Sequence, residues 1–600
     1  MITLLLLACA TDSSPPSTPP SPELDETLEE PVEASEGMVF LNPTVGTMSW
    51  LEAGESMAHE LELGAWPYRW LRTDQGVLVS LRGEGKLALV DTEGSLPELL
   101  RTVEVGAEPC DLALSADGER VYVALAMENA VLELDAASLE PLRRFETRGQ
   151  VQWLALHPTD QVLYASSSLG RSVERVQLAS GDVTEVELPT PRTFAGGATS
   201  STEQTVVRPT GDIAVYYDED AGTGVLVVPG MSTDVTTPEG TDNVVTGYYS
   251  SNASNPDDPG RFNPVLVAWT LDAYGQPQEA EVLLLIGRND DNEFVRSYPA
   301  GAFLEAGDDT VYVPMPSSDV VLSFELGRTL DYGTTRADFL MTSPRTYQVG
   351  AGPEEVLFRE DGAWVHNRRD RTATHVALPS DEVLTSYLSM SDELEEGRRL
   401  FNTAVDAEMV LSGAGMTCSN CHFEGRTDGL VYPFAAGPRQ TPSLAGDVSG
   451  TAPYTWTDEV GSVAEEVRIT NTTRLGGSGI SEEQSEAVAS WIVSTGYVDL
   501  PEQDDEAVSR GEALFRDLSC DSCHPAPLYG ATGERYDMFD GEDMDVPSLV
   551  GVAASPPYYH DGSAETLRDA LLLAEDGGMA AISHLDEEEL NDLEAFLRTL

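Results

Sequence analysis

The sequence contains one five-residue pattern twice, and this repeat constrains the fold more than any other feature. Cys418–His422 forms the first Cys-x-x-Cys-His motif and Cys520–His524 forms the second. Two thiols three positions apart lie on one helical turn, where each can add to a vinyl group of a haem, and the following histidine can bind the iron. A zinc knuckle or a redox dithiol is the alternative, but such sites rarely repeat with histidine directly after the second cysteine. The motifs therefore predict two covalently bound c-type haems, with these attachment and iron-binding residues: Cys418, Cys421, His422, Cys520, Cys523 and His524.

The residues around the two motifs are duplicated as well. A Gly-x-x-Leu-Phe segment precedes each motif, at Gly397–Phe401 and at Gly511–Phe515, and each copy ends in an amphipathic helical pattern. An opening helix, a haem motif, a loop and a closing helix make one small all-α haem domain. The duplication therefore predicts two such domains, at residues 386–500 and 501–600.

The same C-terminal segment resembles the bacterial dihaem cytochrome c peroxidase superfamily, which includes the MauG-type enzymes. The resemblance rests on the paired motifs, on Gly437–Arg439, on Trp456, and on the blocks Val546–Leu549 and Pro557–Ser563. It implies two all-α class I-like cytochrome c domains, in which the first haem binds peroxide and the second relays electrons. It also implies that Trp456 lies between the haems as an electron conduit, with a buried ring between the domains as the alternative.

The sequence departs from that superfamily at positions that would complete the first haem site. Tyr432 stands where the family has a distal histidine, so the first iron is expected to be five-coordinate or to bind one of four side chains. These are Tyr432, Tyr454, Met409 and Met416. Glu466 stands where the family has a glutamine, and we consider it a candidate acid for the reaction, with an exposed helix charge as the alternative.

The second iron is expected to take a methionine ligand. Met579 is the first candidate, because it lies just past the position where the family places a ligand, and Met538 and Met544 are its rivals. A thioether ligand stabilises ferrous iron and raises the reduction potential. A reactive first iron served by a high-potential second iron would suit peroxide reduction.

Residues 41–385 consist of short β-rich runs separated by Asp-Gly and Pro turns, which predicts an all-β region. Val105–Pro109 and Val349–Pro353 share a template, and in both an Asp-Gly pair follows eight residues after the proline. The template resembles YVTN-type propeller repeats. At about 45–50 residues per blade, the region allows about seven blades. Cys110 lies in one of its apolar strand patterns and is expected to be a buried small residue.

The amino terminus indicates export. Ile2–Ala8 is an apolar run that ends at Cys9, and Leu6–Cys9 resembles the lipobox of bacterial lipoproteins. The resemblance implies a signal peptide over residues 1–9 and lipidation of Cys9, with a soluble periplasmic protein as the alternative. Residues 10–40, rich in Pro, Ser and Glu, are expected to form a disordered tether. The sequence thus predicts a periplasmic or cell-envelope protein anchored by lipid.

The charge of the chain restricts its partners. With 34 basic and 103 acidic residues, the formal net charge is −69. Such a chain cannot neutralise nucleic-acid phosphates or bind an anionic lipid surface by charge, and it attracts basic partners. We therefore expect a small redox protein as electron donor or acceptor, with a basic one favoured by the charge, no nucleic acid, and membrane contact only through the anchor. The predicted function is dihaem redox chemistry. It is either peroxidase-like reduction of hydrogen peroxide at the first haem or electron transfer alone, with the propeller docking a redox partner.

Overall fold

The computed structural model describes most of the chain from Gly37 onward. The described residues are 37–52, 56–92, 96–189, 205–218, 221–235, 262–285, 287–288, 294–295, 297–305, 309–330, 337–341, 344–411, 414–434, 437–446, 448–456, 460–496, 498–530, 532–537 and 543–600. The predicted signal peptide with Cys9, most of the predicted tether, and Met538 lie outside these residues. No helix in this described part is long and apolar enough to cross a membrane.

The strands form a seven-bladed β-propeller of antiparallel sheets, so the propeller part of the prediction is confirmed. The first four blades are built from these strands: β1 Met38–Asn42, β2 Thr47–Leu51 and β3 His59–Glu62; β4 Pro67–Thr73, β5 Gly76–Leu81, β6 Lys86–Asp91 and β7 Glu98–Glu104; β8 Pro109–Leu114, β9 Arg120–Leu125, β10 Ala130–Asp135 and β11 Pro141–Glu146; β12 Trp153–Leu156, β13 Val162–Ser166, β14 Ser172–Gln177 and β15 Asp182–Glu187.

The last three blades follow in chain order. Blade five comprises β16 Thr205–Pro209, β17 Ala214–Asp218, β18 Thr223–Asp234, β19 Phe262–Leu271 and β20 Pro277–Leu284. A small ladder, β21 Gly287–Arg288 with β22 Phe294–Val295, precedes blade six, which comprises β23 Phe303–Leu304, β24 Thr310–Met315, β25 Val320–Leu330, β26 Ala337–Met341 and β27 Arg345–Gln348. Blade seven comprises β28 Pro353–Arg359, β29 Gly362–Asn367, β30 Thr372–His375 and β31 Leu378–Leu384.

The repeated template occupies the same place in two blades. Its proline begins the first strand, at Pro109 in β8 and Pro353 in β28, and its Asp-Gly pair makes the turn before the second strand. Glycine is needed in that turn because Gly118 has a φ of 73° and Gly362 a φ of 125°. Cys110 in β8 is fully buried, as predicted.

The ring closes where the two ends of the propeller meet. The amide of Ala58 donates to the Leu384 carbonyl at 3.1 Å, and the Leu384 amide donates to the Ser56 carbonyl at 3.2 Å. Buried side chains from blades one and seven pack across the same seam, among them Phe40 and Trp364. β1 begins at Met38, so the propeller starts before residue 41 and includes the last residues of the predicted tether, residues 10–40.

The remainder of the chain contains short helices joined by long loops and two β-ladders. Its elements are α1 Asp392–Asn402, α2 Cys418–Cys421, β32 Val431–Phe434, β33 Gly437–Gln440, α3 Val463–Thr473, α4 Glu482–Thr495, α5 Asp505–Asp517, β34 Arg535–Asp537, β35 Asp543–Asp545, α6 Leu567–Leu573 and α7 Glu587–Leu597. β32 pairs with β33 and β34 pairs with β35.

The prediction of two all-α class I-like cytochrome c domains is therefore wrong. Between the opening and closing helices the chain carries Pro433, Pro438, Pro442 and Pro453, and proline cannot continue a helix because it lacks an amide hydrogen. These segments form loops and ladders instead. The first half is also not a separate all-α unit, since its core includes propeller side chains from blade five and from Tyr298.

The duplication in the sequence appears as two matching helix pairs. α1 packs on α4 and α5 packs on α7, and in each pair the glycine of the Gly-x-x-Leu-Phe segment lies at the crossing. A Cβ atom added at Gly397 would lie 2.1 Å from the Ala487 carbonyl oxygen, and one added at Gly511 would lie 2.0 Å from the Asp592 carbonyl oxygen. Only glycine lets the two backbones approach this closely.

We expect Gly397→Ala and Gly511→Ala each to destabilise its helix pair by about 1–3 kcal/mol, because the added methyl group must push two backbones apart. The effect is measured as a lower midpoint of thermal unfolding. Gly461→Ala is the control, since its added Cβ would meet only the Glu465 carboxylate at 3.8 Å. Equal midpoints for all three variants would contradict this account of the helix crossing.

Candidate haem sites

The first motif lies on a short, tightly held helix. α2 begins after Thr417, and the side-chain oxygen of Asn420 accepts hydrogen bonds from the Thr417 amide at 2.9 Å and from its hydroxyl at 2.7 Å. Cys418 and Cys421 are therefore held three positions apart on one turn. Both sulfur-bearing side chains pack against the core between α1, α4 and the propeller.

Both motif histidines are oriented by the same backbone contact. Nδ1 of His422 lies 3.0 Å from the Arg426 carbonyl oxygen, and Nδ1 of His524 lies 2.9 Å from the Tyr529 carbonyl oxygen. A histidine that donates through Nδ1 presents Nε2 as the metal ligand. Burial lowers the pKa of both imidazoles and so favours the neutral, ligating form.

The cysteines of both motifs are free thiols, as haem attachment requires. Burial raises the pKa of Cys418 to about 12 and that of Cys520 to about 11. Among the described residues there is no cluster of three or more His, Cys, Asp or Glu side chains that could hold a metal ion. The donors present at each motif, two thiols and one oriented imidazole, fit a covalently attached haem.

The segment after the first motif closes the centre of the propeller. The ring of Phe423 stacks on Tyr298 with centroids 5.3 Å apart, and it lies 5.9 Å from the ring of Trp153. Both partners belong to the propeller, Trp153 in β12 and Tyr298 in the loop before β23. The first motif is thus seated on the propeller by the residue that follows its histidine.

A buried ionic network holds this contact. Glu108, from the loop before β8, pairs with Arg82 at 3.2 Å and with Arg426, and Arg82 also pairs with Glu424. Arg82 and Glu108 are each 1% exposed and Arg426 is 6% exposed. Although burial alone would favour the neutral acid, the guanidinium groups of Arg82 and Arg426 hold the pKa of Glu424 below its ordinary value. We call these four residues the Glu108 network.

The side chains proposed for the first iron lie around the same core. The Tyr432 hydroxyl is 3.9 Å from the Cys421 sulfur and donates to the Asp428 carboxylate at 2.7 Å. Met409 and Met416 are buried in the core that also contacts both cysteines, whereas Tyr454 is only half-buried. Tyr432 therefore contacts the motif through the Cys421 sulfur, and Met409 and Met416 belong to the core that packs on both cysteines.

The second motif lies closer to the surface. Asp521 and Ser522, between its cysteines, are exposed, and so are the residues that follow His524. Tyr536, on the ladder that follows the second motif, donates from its hydroxyl to the Glu534 carboxylate at 2.6 Å.

The methionine candidates for the second iron differ in position. Met544 in β35 pairs with Tyr536 in β34 and is 3% exposed, whereas Met579 lies on a loop and is 40% exposed. The structure thus buries Met544 and leaves Met579 partly exposed.

Trp456 lies between the two halves of the C-terminal region. Its indole nitrogen donates to the Gln440 carbonyl at 3.0 Å, and its ring lies 6.2 Å from that of His560. Its own carbonyl accepts a hydrogen bond from the Asp545 amide at 3.1 Å. Trp456 therefore touches β33 in the first half and two segments of the second half.

Glu466 is engaged in an ion pair. One carboxylate oxygen accepts from Arg474 and from the Thr470 hydroxyl at 2.9 Å, while the other oxygen is buried without a hydrogen-bond partner. The side chain is 19% exposed, so it is not the exposed helix charge of the alternative interpretation. Its pairing with Arg474 limits its use as a free acid.

Sequence reasoning missed the contribution of the propeller to the first site. Arg208 in β16 donates to the Asn420 carbonyl, and Met231 and Phe262 pack into the core around α2. These residues are about two hundred positions away from the motif, and no local spacing signals their approach.

No protein-family model and no curated protein matches the sequence. Among solved structures, hydrazine synthase from Kuenenia stuttgartiensis is similar with 18% identity, a TM-score of 0.42, and coverage of 56% of this chain and 91% of that chain. A MauG-like protein associated with microbial copper homeostasis is similar with 21% identity, a TM-score of 0.28, and coverage of 36% and 91%. The dihydro-haem d1 dehydrogenase NirN matches with 12% identity, a TM-score of 0.32, and coverage of 57% and 72%. At TM-scores this low, we draw no argument about function from these likenesses.

We expect Glu108→Gln to destabilise the docked structure by about 3–5 kcal/mol, because it leaves buried guanidinium groups without their shared carboxylate. The midpoint of thermal unfolding should fall, and limited proteolysis should cleave the intact chain faster. Glu185→Gln is the control, because its pair with Arg148 is exposed and contributes about 0–1 kcal/mol. If both variants unfold at the same midpoint, the Glu108 network does not anchor the C-terminal region.

Proposed function

We propose that this protein is a dihaem c-type redox protein that attaches one haem at Cys418–His422 and a second at Cys520–His524. The observation that carries the proposal is the pair of matching donor sets. Each joins two free thiols to an imidazole whose Nδ1 is bonded to a backbone carbonyl. Haem bound there would supply an iron that changes oxidation state by one electron.

We propose further that electrons enter at the second haem and pass to the first. The second motif is near the surface, where a redox partner can approach it, whereas the first is enclosed by the propeller. Trp456, which touches both halves, lies on a path between them. An acidic surface would favour a basic electron-transfer partner.

The finer proposal is that the first site reduces hydrogen peroxide in the manner of a peroxidase. Reduction of peroxide to two waters consumes two electrons and two protons, and two haems can each supply one electron. The residues of this chain would orient the iron through His422, keep bulk water away through the propeller, and hold a proton at the Tyr432 hydroxyl beside Asp428.

Electron transfer without peroxide turnover is the second candidate function. The ion pair between Glu466 and Arg474 favours it. Peroxide cleavage benefits from a nearby group that can move a proton. One oxygen of the Glu466 carboxylate is already bound by Arg474 and Thr470, which restrains the side chain that we considered as the acid.

We expect the purified full-length protein to contain two haems per chain, measured from the absorption of the pyridine complex that the attached haems form when the protein is denatured in alkaline pyridine. Replacing both cysteines of one motif by alanine should leave one haem, because each thiol pair holds only its own haem. Cys110→Ala is the matched control, since Cys110 is a buried cysteine outside both motifs and its loss should leave two haems. A wild-type protein without haem would overturn the proposed function.

The two redox candidates are separated by absorption and paramagnetic-resonance spectra of the oxidised and half-reduced protein, taken before and after adding hydrogen peroxide. A high-spin ferric signal that peroxide consumes supports peroxidase-like chemistry at the first haem. Two low-spin haems that do not respond to peroxide support electron transfer alone.

We propose Met544 as the thioether ligand of the second iron in preference to Met579, because Met544 is buried at 3% exposure whereas Met579 is 40% exposed. Met544→Leu should then lower the reduction potential of the second haem, since a thioether ligand raises it. Met579→Leu is the matched control and should leave that potential unchanged. Spectroelectrochemical titration measures the potential of the second haem in both variants. If Met579→Leu lowers that potential and Met544→Leu does not, Met579 is the ligand.

A further inference from the structure

Arg208 is a buried cation that the protein leaves incompletely bonded. Its side chain is 1% exposed, and its Nη2 donates to the carbonyl of Asn420 inside the first motif. Its Nε and Nη1 have no hydrogen-bond partner. An isolated buried charge is strongly destabilising unless a group of opposite charge meets it.

Arg208 reaches the motif because blade five is extended. β18 has 12 residues and β19 has 10, whereas the strands of blades two to four have at most seven. In the extension, Arg208 lies opposite Met231, and Met231 opposite Pro264. These side chains share one face of the sheet with Thr233 and Phe262, and this face covers the first motif.

The groups around Arg208 leave its Nε and Nη1 without a hydrogen bond. Its guanidinium carbon lies 5.7 Å from the centre of the Tyr298 ring, and Asp428, Tyr432 and Cys421 are close enough to interact with its charge. The Asp428 carboxylate already accepts from the Tyr432 hydroxyl at 2.7 Å and from the Leu430 amide at 3.0 Å. The hydroxyls of Thr233 and Tyr298 are also buried without partners, so several donors converge beside the first motif.

We propose that Arg208 binds a carboxylate of the first haem, one of its two propionates, so that the propeller itself completes the first haem pocket. This inference rests on the proposed function, because it requires a haem at Cys418–His422. A guanidinium group matches a carboxylate with two parallel hydrogen bonds from neighbouring nitrogens. Arg208 can present such an edge through the second hydrogen of Nη2 together with its free Nε or Nη1. The propeller is then part of the redox centre and not only a docking surface.

The charge of Arg208 should raise the reduction potential of the first haem. Ferric haem carries one more positive charge than ferrous haem, so a nearby cation disfavours the ferric state. Loss of the cation also leaves the propionate charge uncompensated, which acts in the same direction. Removing Arg208 should therefore lower the reduction potential of the first haem and leave the second haem unaffected.

The test compares the full-length protein with Arg208→Gln, after haem content has been measured for each. At a fixed electrode potential, we expect the ratio of reduced to oxidised first haem to fall about tenfold in Arg208→Gln, which corresponds to about 59 mV for one electron. Arg175→Gln is the matched control, because Arg175 is a buried propeller arginine bonded to the Gly275 carbonyl away from both motifs. Its first haem should titrate as in the wild type.

Arg208→Lys tests the proposal if the glutamine variant fails to fold. Lysine keeps the charge but replaces the two-pronged contact by a single donor. The resonance Raman bending bands of the first haem's propionates should therefore shift. A role limited to holding the Asn420 carbonyl would leave these propionate bands at their wild-type positions. A protein with two haems, and with wild-type potentials and bands in both variants, would overturn the proposal, whereas a wild-type protein without haem would overturn the proposed function itself.

Discussion

The structure depends on one buried ionic contact, in which Glu108 of the propeller lies between Arg82 and Arg426. A carboxylate and two guanidinium groups that are nearly inaccessible to water stabilise a structure only in a well-fitted arrangement. Arg426 comes four residues after His422, and its carbonyl is the acceptor that orients the imidazole. The same residue thus docks the C-terminal region and orients the imidazole of His422. A change in docking that moves Arg426 would therefore also move the carbonyl that orients His422.

This contact makes the first haem site composite. Its helix α2, its histidine and Tyr432 come from the C-terminal region, while Arg208 and Phe262 come from blade five. The second site is assembled almost entirely from its own half, around α5, α7 and the β34–β35 ladder. The two copies of one sequence pattern are therefore placed in different surroundings. That difference in burial is what would let two identical attachment motifs take different redox roles.

The local features were predictable from the sequence because they depend on neighbouring residues. The template proline at Pro109 and the glycine at Gly118 mark the strand start and the turn that the structure shows, since both reflect backbone preferences. The all-α interpretation of the C-terminal region failed for the opposite reason. Helical signals at Gly397 and Gly511 were extended over Pro-rich segments, and those segments instead form ladders and loops that pack on the propeller and on each other.

The sequence by itself determined the two haem motifs, the seven-bladed propeller and the duplicated helix pairs, because spacing, turn residues and periodicity act over a few positions. Only the tertiary structure decided what surrounds those motifs. Glu108 and Arg426 are 318 positions apart, and Arg208 and Asn420 are 212 apart. Contacts over such separations depend on how the blades close and how far β18 and β19 extend. The burial that gives each charge its effect therefore exists only in the folded chain.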